Sequence, residues 1–145
     1  MDKMDREILR LLQEDGRMTV SDLSKALSLS RPSMSERLHR LRERGVIEKF
    51  SAQVSLDKIG KAMLVVIQVG GLKVSLQAFE EVIQTEEAVI ECHRVTGEVS
   101  YFLKAAVANV HELRELIDRL VPFGTINTST VLHSPVRERM LLPEV

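Results

Sequence analysis

The sequence predicts an α+β chain in two parts: an N-terminal helix-turn-helix domain, winged-helix-like, followed by a ferredoxin-like βαββαβ dimerisation domain. Three observations predict it. A basic helix with both ends marked spans Ser30 to Gly45. Two capped helices precede it, the second separated from it by only about three residues. The rest of the chain runs strand, helix, strand, strand, helix, strand, which is the ferredoxin-like order.

The first helix is expected from Asp2, a good N-cap, to about Asp15, with Asp5 in the first turn where a carboxylate suits the helix dipole. Met4, Ile8, Leu11 and Leu12 repeat with the helical period, and Gly16 closes the helix. Thr19 to Asp22 resembles a capping box with Asp in place of Glu, and Val20, Leu23 and Leu27 form the apolar face of a second helix. Ser28-Leu29-Ser30 is the turn into the third. There Ser30 is the N-cap, Pro32 falls where a missing N–H is harmless, and Gly45 stands where a left-handed residue is wanted. Met34, Leu38 and Leu41 make one narrow apolar stripe.

The rest of the third helix is polar. Five arginines fall between Arg31 and Arg44, against two glutamates, Glu36 and Glu43. A solvated face is the plainer reading of such a surface by itself. The preceding tight turn changes that, because the second helix of such a pair enters the DNA major groove with its N-terminal residues on base edges. After Gly45, Val46 to Val54 alternates well enough for a strand, either a wing or a connector, and Leu56 to Gly60 reads as the boundary. The expected domains are therefore 1–50 for DNA binding, 51–60 as a β-strand linker, and 61–145 for effector binding and oligomerisation.

In the third part, Ala62 to Val69 is a nearly all-apolar strand ended by Gly70-Gly71. Leu76, Phe79, Val82 and Ile83 mark a helix. Ala88 to Val95 and Val99 to Val107 are strands joined by Thr96-Gly97-Glu98. Asn109 caps the next helix, with Glu112 at the capping-box position and Val110, Leu113, Ile117 and Leu120 as its buried face. Ile126 to His133 is the last strand. Both helices cover one sheet face, so the other is expected to be apolar and buried on a second copy of the chain.

Composition narrows the function. The chain has 145 residues, 44% hydrophobic and 28% charged, the balance of a soluble globular protein of one or two domains. Aromatic content is 3% with no Trp, which argues against base stacking on an aromatic platform. Net charge is −1, yet residues 1–50 carry eleven basic and nine acidic side chains, leaving the remainder acidic. One cysteine allows no internal disulfide and no Cys-rich zinc site. No apolar h-region follows Met1 and no apolar run is long enough to span a bilayer, so a cytoplasmic protein without a membrane partner is expected. His39, His93, His111 and His133 lie in different elements, without metal-site spacing. Cys92 and His93 are strand neighbours that point to opposite faces, so they form no nucleophile–base pair. No phosphate loop or dinucleotide fingerprint is present. The chain is expected to be no enzyme and to need no cofactor. The Thr96-Gly97-Glu98 turn remains as a place where backbone amides can approach a small carboxylate.

The sequence resembles the Lrp/AsnC, or feast/famine, family of bacterial and archaeal transcriptional regulators. The matching residues are Asp5, Ile8-Leu9, Gln13 to Arg17, Asp22-Leu23-Ser24, Leu29-Ser30, Arg37-Leu38 with Leu41, Gly45-Val46-Ile47, Leu56 to Gly60 and Cys92 to Gly97. The resemblance implies a sequence-specific DNA-binding regulator on a pseudo-palindromic double-stranded operator. It also implies a homodimer that assembles to tetramers or octamers, with an amino-acid-like effector held between dimers. DNA contact is then expected from Arg17, Ser30, Arg31, Ser33, Ser35, Glu36, Arg37, His39 and Arg40, with Arg31 and Arg37 mattering most. Effector contact is expected from Thr96, Gly97, Glu98, Val99, Ser100 and Tyr101, with Thr130 and Leu132 from the last strand. The family pattern has an Asp, associated with effector response, where this chain has Ser100, so weak or absent binding of common amino acids is expected. The alternative function is a metabolite-binding module without DNA binding, and a non-binder has no need of the basic helix.

Overall fold

The computed structural model describes residues 1–145. Its contacts divide the chain into two units, Met1–Gln53 with Val136–Val145, and Val54–Pro135. This differs from the expected 61–145 domain at its end: by contact, Val136–Val145 belong to the first unit.

In the first unit, helix α1 spans Lys3–Glu14, α2 Val20–Ala26 and α3 Arg31–Glu43. Each begins where a side chain satisfies a free amide. Asp2 accepts from the Asp5 N–H at 2.8 Å while Asp5 accepts from the Asp2 N–H at 3.2 Å. Thr19 and Asp22 form the same reciprocal box, and Ser30 accepts from the Ser33 N–H at 3.3 Å. At the end of α3 the Val46 N–H donates to the Leu41 carbonyl and the Gly45 N–H to that of Arg42, both at 2.9 Å. Gly45 sits at φ +69°, so this is a Schellman ending that needs its glycine. Ile8, Leu9, Leu23, Met34 and Leu41 are the buried core. Between α2 and α3, Ser28 takes φ +53°, a left-handed conformation that a non-glycine residue holds at a cost of about 1 kcal/mol.

Val46–Val54 forms no strand. Its alternation is real, but in one chain it has no neighbour for its ladder of N–H and C=O groups. The expected β-linker is likewise absent. Leu56–Gly60 is a turn, closed by the Lys61 N–H on the Leu56 carbonyl at 2.8 Å.

In the second unit, strands β1 (Met63–Gly70), β2 (Val89–Arg94), β3 (Tyr101–Val107) and β4 (Thr125–Thr130) form an antiparallel sheet in the order β2-β3-β1-β4. Helices α4 (Leu76–Thr85) and α5 (Val110–Leu120) follow β1 and β3. Val65, Ile67 and Val69 of β1 join Tyr101, Leu103, Ala105 and Val107 of β3 against Phe79, Ile83, Leu116 and Leu120. Val110 was expected in this core and is exposed, whereas Leu116 is fully buried.

The other sheet face is mixed rather than apolar. The register places Leu64 beside Ala106, Gln68 beside Phe102 and Asn127, and Val66 beside Lys104 and Ser129. Lys104 pairs with Glu91 on that face at 2.8 Å. This face is less apolar than expected because β4 reads Thr-Ile-Asn-Thr-Ser-Thr and puts its one large apolar side chain on the helix side.

Candidate nucleic-acid interface and effector site

The stripe Met34, Leu38 and Leu41 holds α3 against the core and so turns Arg31, Ser33, Ser35, Glu36, His39 and Arg40 outward, all exposed. Ser30 and Ser33 share a hydroxyl hydrogen bond of 2.9 Å at the helix start. Arg31 donates to the Ser21 hydroxyl at 3.0 Å, a contact of α2 that nothing in the sequence signalled. His39–Glu43 and Arg40–Glu36 are exposed pairs at 3.1 and 3.9 Å, and such pairs contribute little, so they yield readily to another anion. The first turn of α3 carries no acidic residue, leaving its positive dipole end uncompensated. Arg17 is exposed beyond α1, its backbone N–H held by Asp15 at 2.9 Å. Arg42 and Arg44, not assigned from the sequence, are exposed too.

Arg37 departs from expectation. It points inward, and one guanidinium nitrogen donates to Asp2 and to Asp5, each at 2.8 Å. Its side chain is 23% exposed and that of Asp5 15%. The Asp2 and Asp5 carboxylates raise the Arg37 pKa, while the Asp5 amide and then Arg37 hold Asp2 below the usual carboxylate value. The residue ties the middle of α3 to the start of α1.

The expected effector residues do not form one cluster in the chain. Thr96 to Val99 make no backbone hydrogen bonds through their N–H groups, and Gly97 stands at φ +117°. Ser100 has its backbone spoken for: its N–H donates to Val69 at 2.8 Å and its carbonyl accepts from Val95 at 3.0 Å. Tyr101 turns away from the turn into the helix side. It is 1% exposed, its ring lies 4.8 Å from that of Phe79, and its hydroxyl donates to Glu80 at 2.6 Å. Thr130 pairs with Val65, whereas Tyr101 pairs with Val69, so the two sets sit about 13 Å apart along β1. Leu132, past the end of β4, is 97% exposed.

Burial, then the Glu80 contact, push the Tyr101 phenol up to about 12 from its usual 10.0. The neutral phenol is favoured in the folded chain, so its contribution is full below pH 10 and is lost as pH rises toward 12. Thermal melts are expected to show that fall in the wild type and a smaller one in Tyr101→Phe. The variant itself loses about 1 kcal/mol with the hydrogen bond. Equal alkaline profiles for the two chains would exclude Tyr101 as the group responsible.

No helix is long and apolar enough to cross a membrane. Residues 63–141 match the family described as the Lrp/AsnC ligand binding domain, and residues 1–48 match a winged helix-turn-helix DNA-binding family. The leucine-responsive regulatory protein of Haemophilus influenzae is 35% identical over 81% of this chain and 72% of its own length. The solved structure of LrpC from Bacillus subtilis superposes with a TM-score of 0.91 at 23% identity, over 95% of this chain and 99% of that one, a likeness of fold. A transcriptional regulator of Neisseria meningitidis, solved as an L-Met complex, superposes with a TM-score of 0.90 at 26% identity, over 97% and 96%.

Proposed function

The chain belongs to the Lrp/AsnC family of transcriptional regulators, and from that premise we propose how its own residues are used. It is a DNA-binding regulator with an effector-binding domain, not an enzyme. In our reading the outward face of α3 enters the major groove, with Arg31, Ser33, Ser35, Glu36, His39 and Arg40 at the DNA and Ser30 and Arg17 beside it. The observation that carries this is the exposed basic face of α3 with an acid-free first turn. Arg31→Ala is expected to weaken binding about tenfold. It lowers the slope of log K against log salt by about one unit if Arg31 meets a phosphate, or relaxes specificity at one base pair if it reads a base. Wild-type affinity, slope and specificity in Arg31→Ala would remove α3 from the interface.

The regulator acts in the cytoplasm, as a homodimer through the open sheet face, on a pseudo-palindromic operator. Leu64, Val66 and Phe102 supply an apolar part of that face, and Lys104 with Glu91 its polar part. Tetramers or octamers follow if the effector site lies between dimers. The separation of Thr130 and Leu132 from the 96–100 turn supports that arrangement, since only another copy brings the two sets together. Sedimentation of Val66→Glu beside the wild type tests the dimer: the variant is expected to be monomeric at micromolar concentration, and an unchanged mass contradicts the assignment.

The effector reading rests on the unpaired amides of Thr96 to Val99, which suit a carboxylate. The L-Met complex of the Neisseria relative supports an amino acid as the ligand class. Ser100 offers an α-ammonium only a neutral acceptor, where a carboxylate makes a charge-assisted bond about twice as strong. Binding of common amino acids is therefore expected to be about ten- to hundredfold weaker than with Asp at that position. Calorimetric titration checks it: Ser100→Asp should gain affinity, whereas low-micromolar binding by the wild type would contradict the proposal.

A further inference from the structure

The chain leaves the DNA-binding unit after Gln53 and re-enters it at Val136. What it does there is specific. The Gln13 side-chain amide reads both backbone groups of Leu141: its oxygen accepts the Leu141 N–H at 3.1 Å and its nitrogen donates to the Leu141 carbonyl at 2.8 Å. The same nitrogen donates to Leu9 at 3.2 Å, which fixes the amide in place. Arg6 donates to the Pro143 carbonyl at 3.3 Å. Leu142 packs on the helical core, while Leu141 is 78% exposed. One leucine in and its neighbour out is the alternation of an extended peptide. The segment borders a groove of about 630 Å³, lined also by Leu9, Leu12, Val46, Ile47 and Phe50. Every hydrogen bond that holds the tail comes from a side chain of α1, so the docking is written into Arg6 and Gln13 rather than into a sheet ladder.

The contact is small for what it orders. From Leu132 to Met140 the chain makes no backbone hydrogen bond, and Arg137 to Leu141 are exposed. Three peptide contacts and one leucine stand against the conformational freedom lost by the whole tail.

We propose that Leu141–Pro143 is a releasable strap on the DNA-binding unit. With the strap docked, that unit is joined to the rest of the chain at two points, Gln53–Val54 and the α1 groove. With it free, only the first remains, and the unit gains orientational freedom. A dimer that must place two recognition helices on two half-sites loses effective concentration when that freedom rises, whereas one helix on one half-site does not. The inference rests on the dimeric DNA-binding reading above.

The test uses the full chain and the variants Gln13→Ala and Leu142→Ser, with duplexes carrying one or two half-sites selected by the wild type from random DNA. Trypsin cleavage after Arg137 and Arg139 is expected to be several-fold faster in both variants. Affinity for the two-half-site duplex is expected to fall about tenfold, with that for the single half-site within twofold of wild type. Unchanged cleavage contradicts docking. Faster cleavage with both affinities unchanged, or with both falling alike beside a lowered melting temperature, contradicts the strap and makes the tail only a piece of the fold. A wild type indifferent to the second half-site, with cleavage faster in the variants, overturns the dimeric reading and the strap's role with it, while docking stands.

Discussion

Arg37→Ala is expected to lower the stability of the DNA-binding unit by about 1–2 kcal/mol and to leave the salt slope of DNA binding as it is in the wild type. A hydrogen bond between charged groups is worth about 1.5–3 kcal/mol. The Asp5 arm of the contact is largely shielded, but Asp2 is half exposed and its share is discounted for solvent screening. The substitution also leaves Asp5 without its counter-charge. Asp2 has a depressed pKa, so its contribution is present above the ordinary 3.8 and is lost as pH falls through the lower folded value. The gap between Arg37→Ala and wild type should therefore narrow in acid. Denaturant melts at pH 7 and pH 3 measure the first part, and binding at several salt concentrations the second. A slope reduced by about one unit, with unchanged stability, would make Arg37 a phosphate contact instead.

Gly124→Ala is expected to cost the sheet unit about 2–3 kcal/mol. A Cβ at Gly124 would stand 2.5 Å from the Gly70 carbonyl oxygen, far inside contact distance. That oxygen belongs to backbone at the end of β1, where Gly70 pairs with Thr125. No side chain can rotate to make room, so the strand pair itself must part, the usual reason overpacking destabilises. The backbone angle is not the cause, because φ at Gly124 is 172°, open to any residue. Gly16→Ala is the matched control: its Cβ would meet only the Leu12 carbonyl at 3.6 Å, an ordinary contact. Thermal melts should separate the two variants clearly, and a Gly124→Ala chain as stable as Gly16→Ala would contradict the close approach.

Local signals were legible in the sequence. The caps at Asp2, Thr19, Ser30 and Asn109 act over three residues, and each forms, although Glu112 accepts from the Ala108 N–H instead of closing a box on Asn109. The order of elements, strand-helix-strand-strand-helix-strand, was legible from the alternation of strand-like and amphipathic helical segments. What escaped was non-local. Arg37 lies on the flank of α3, and its spacing alone suits a groove as well as a partner; the carboxylates that claim it are 32 and 35 residues away. Gln13 and Leu141 are 128 residues apart, and nothing near either announces the other. Tyr101 follows the Thr96-Gly97-Glu98 turn closely enough to be counted with it, but strand alternation sends it to the opposite face from Ser100. Val110 fits the helical period of α5, yet in the first turn it is exposed, and Leu116 takes the buried position.

Selection of duplexes from random-sequence DNA by the full chain tests the central claim most directly. The account predicts enrichment of two inverted half-sites whose centres lie about one helical turn apart, roughly 10 bp, as a symmetric pair of α3 helices requires. A pool that stays random while binding persists at low salt would contradict it.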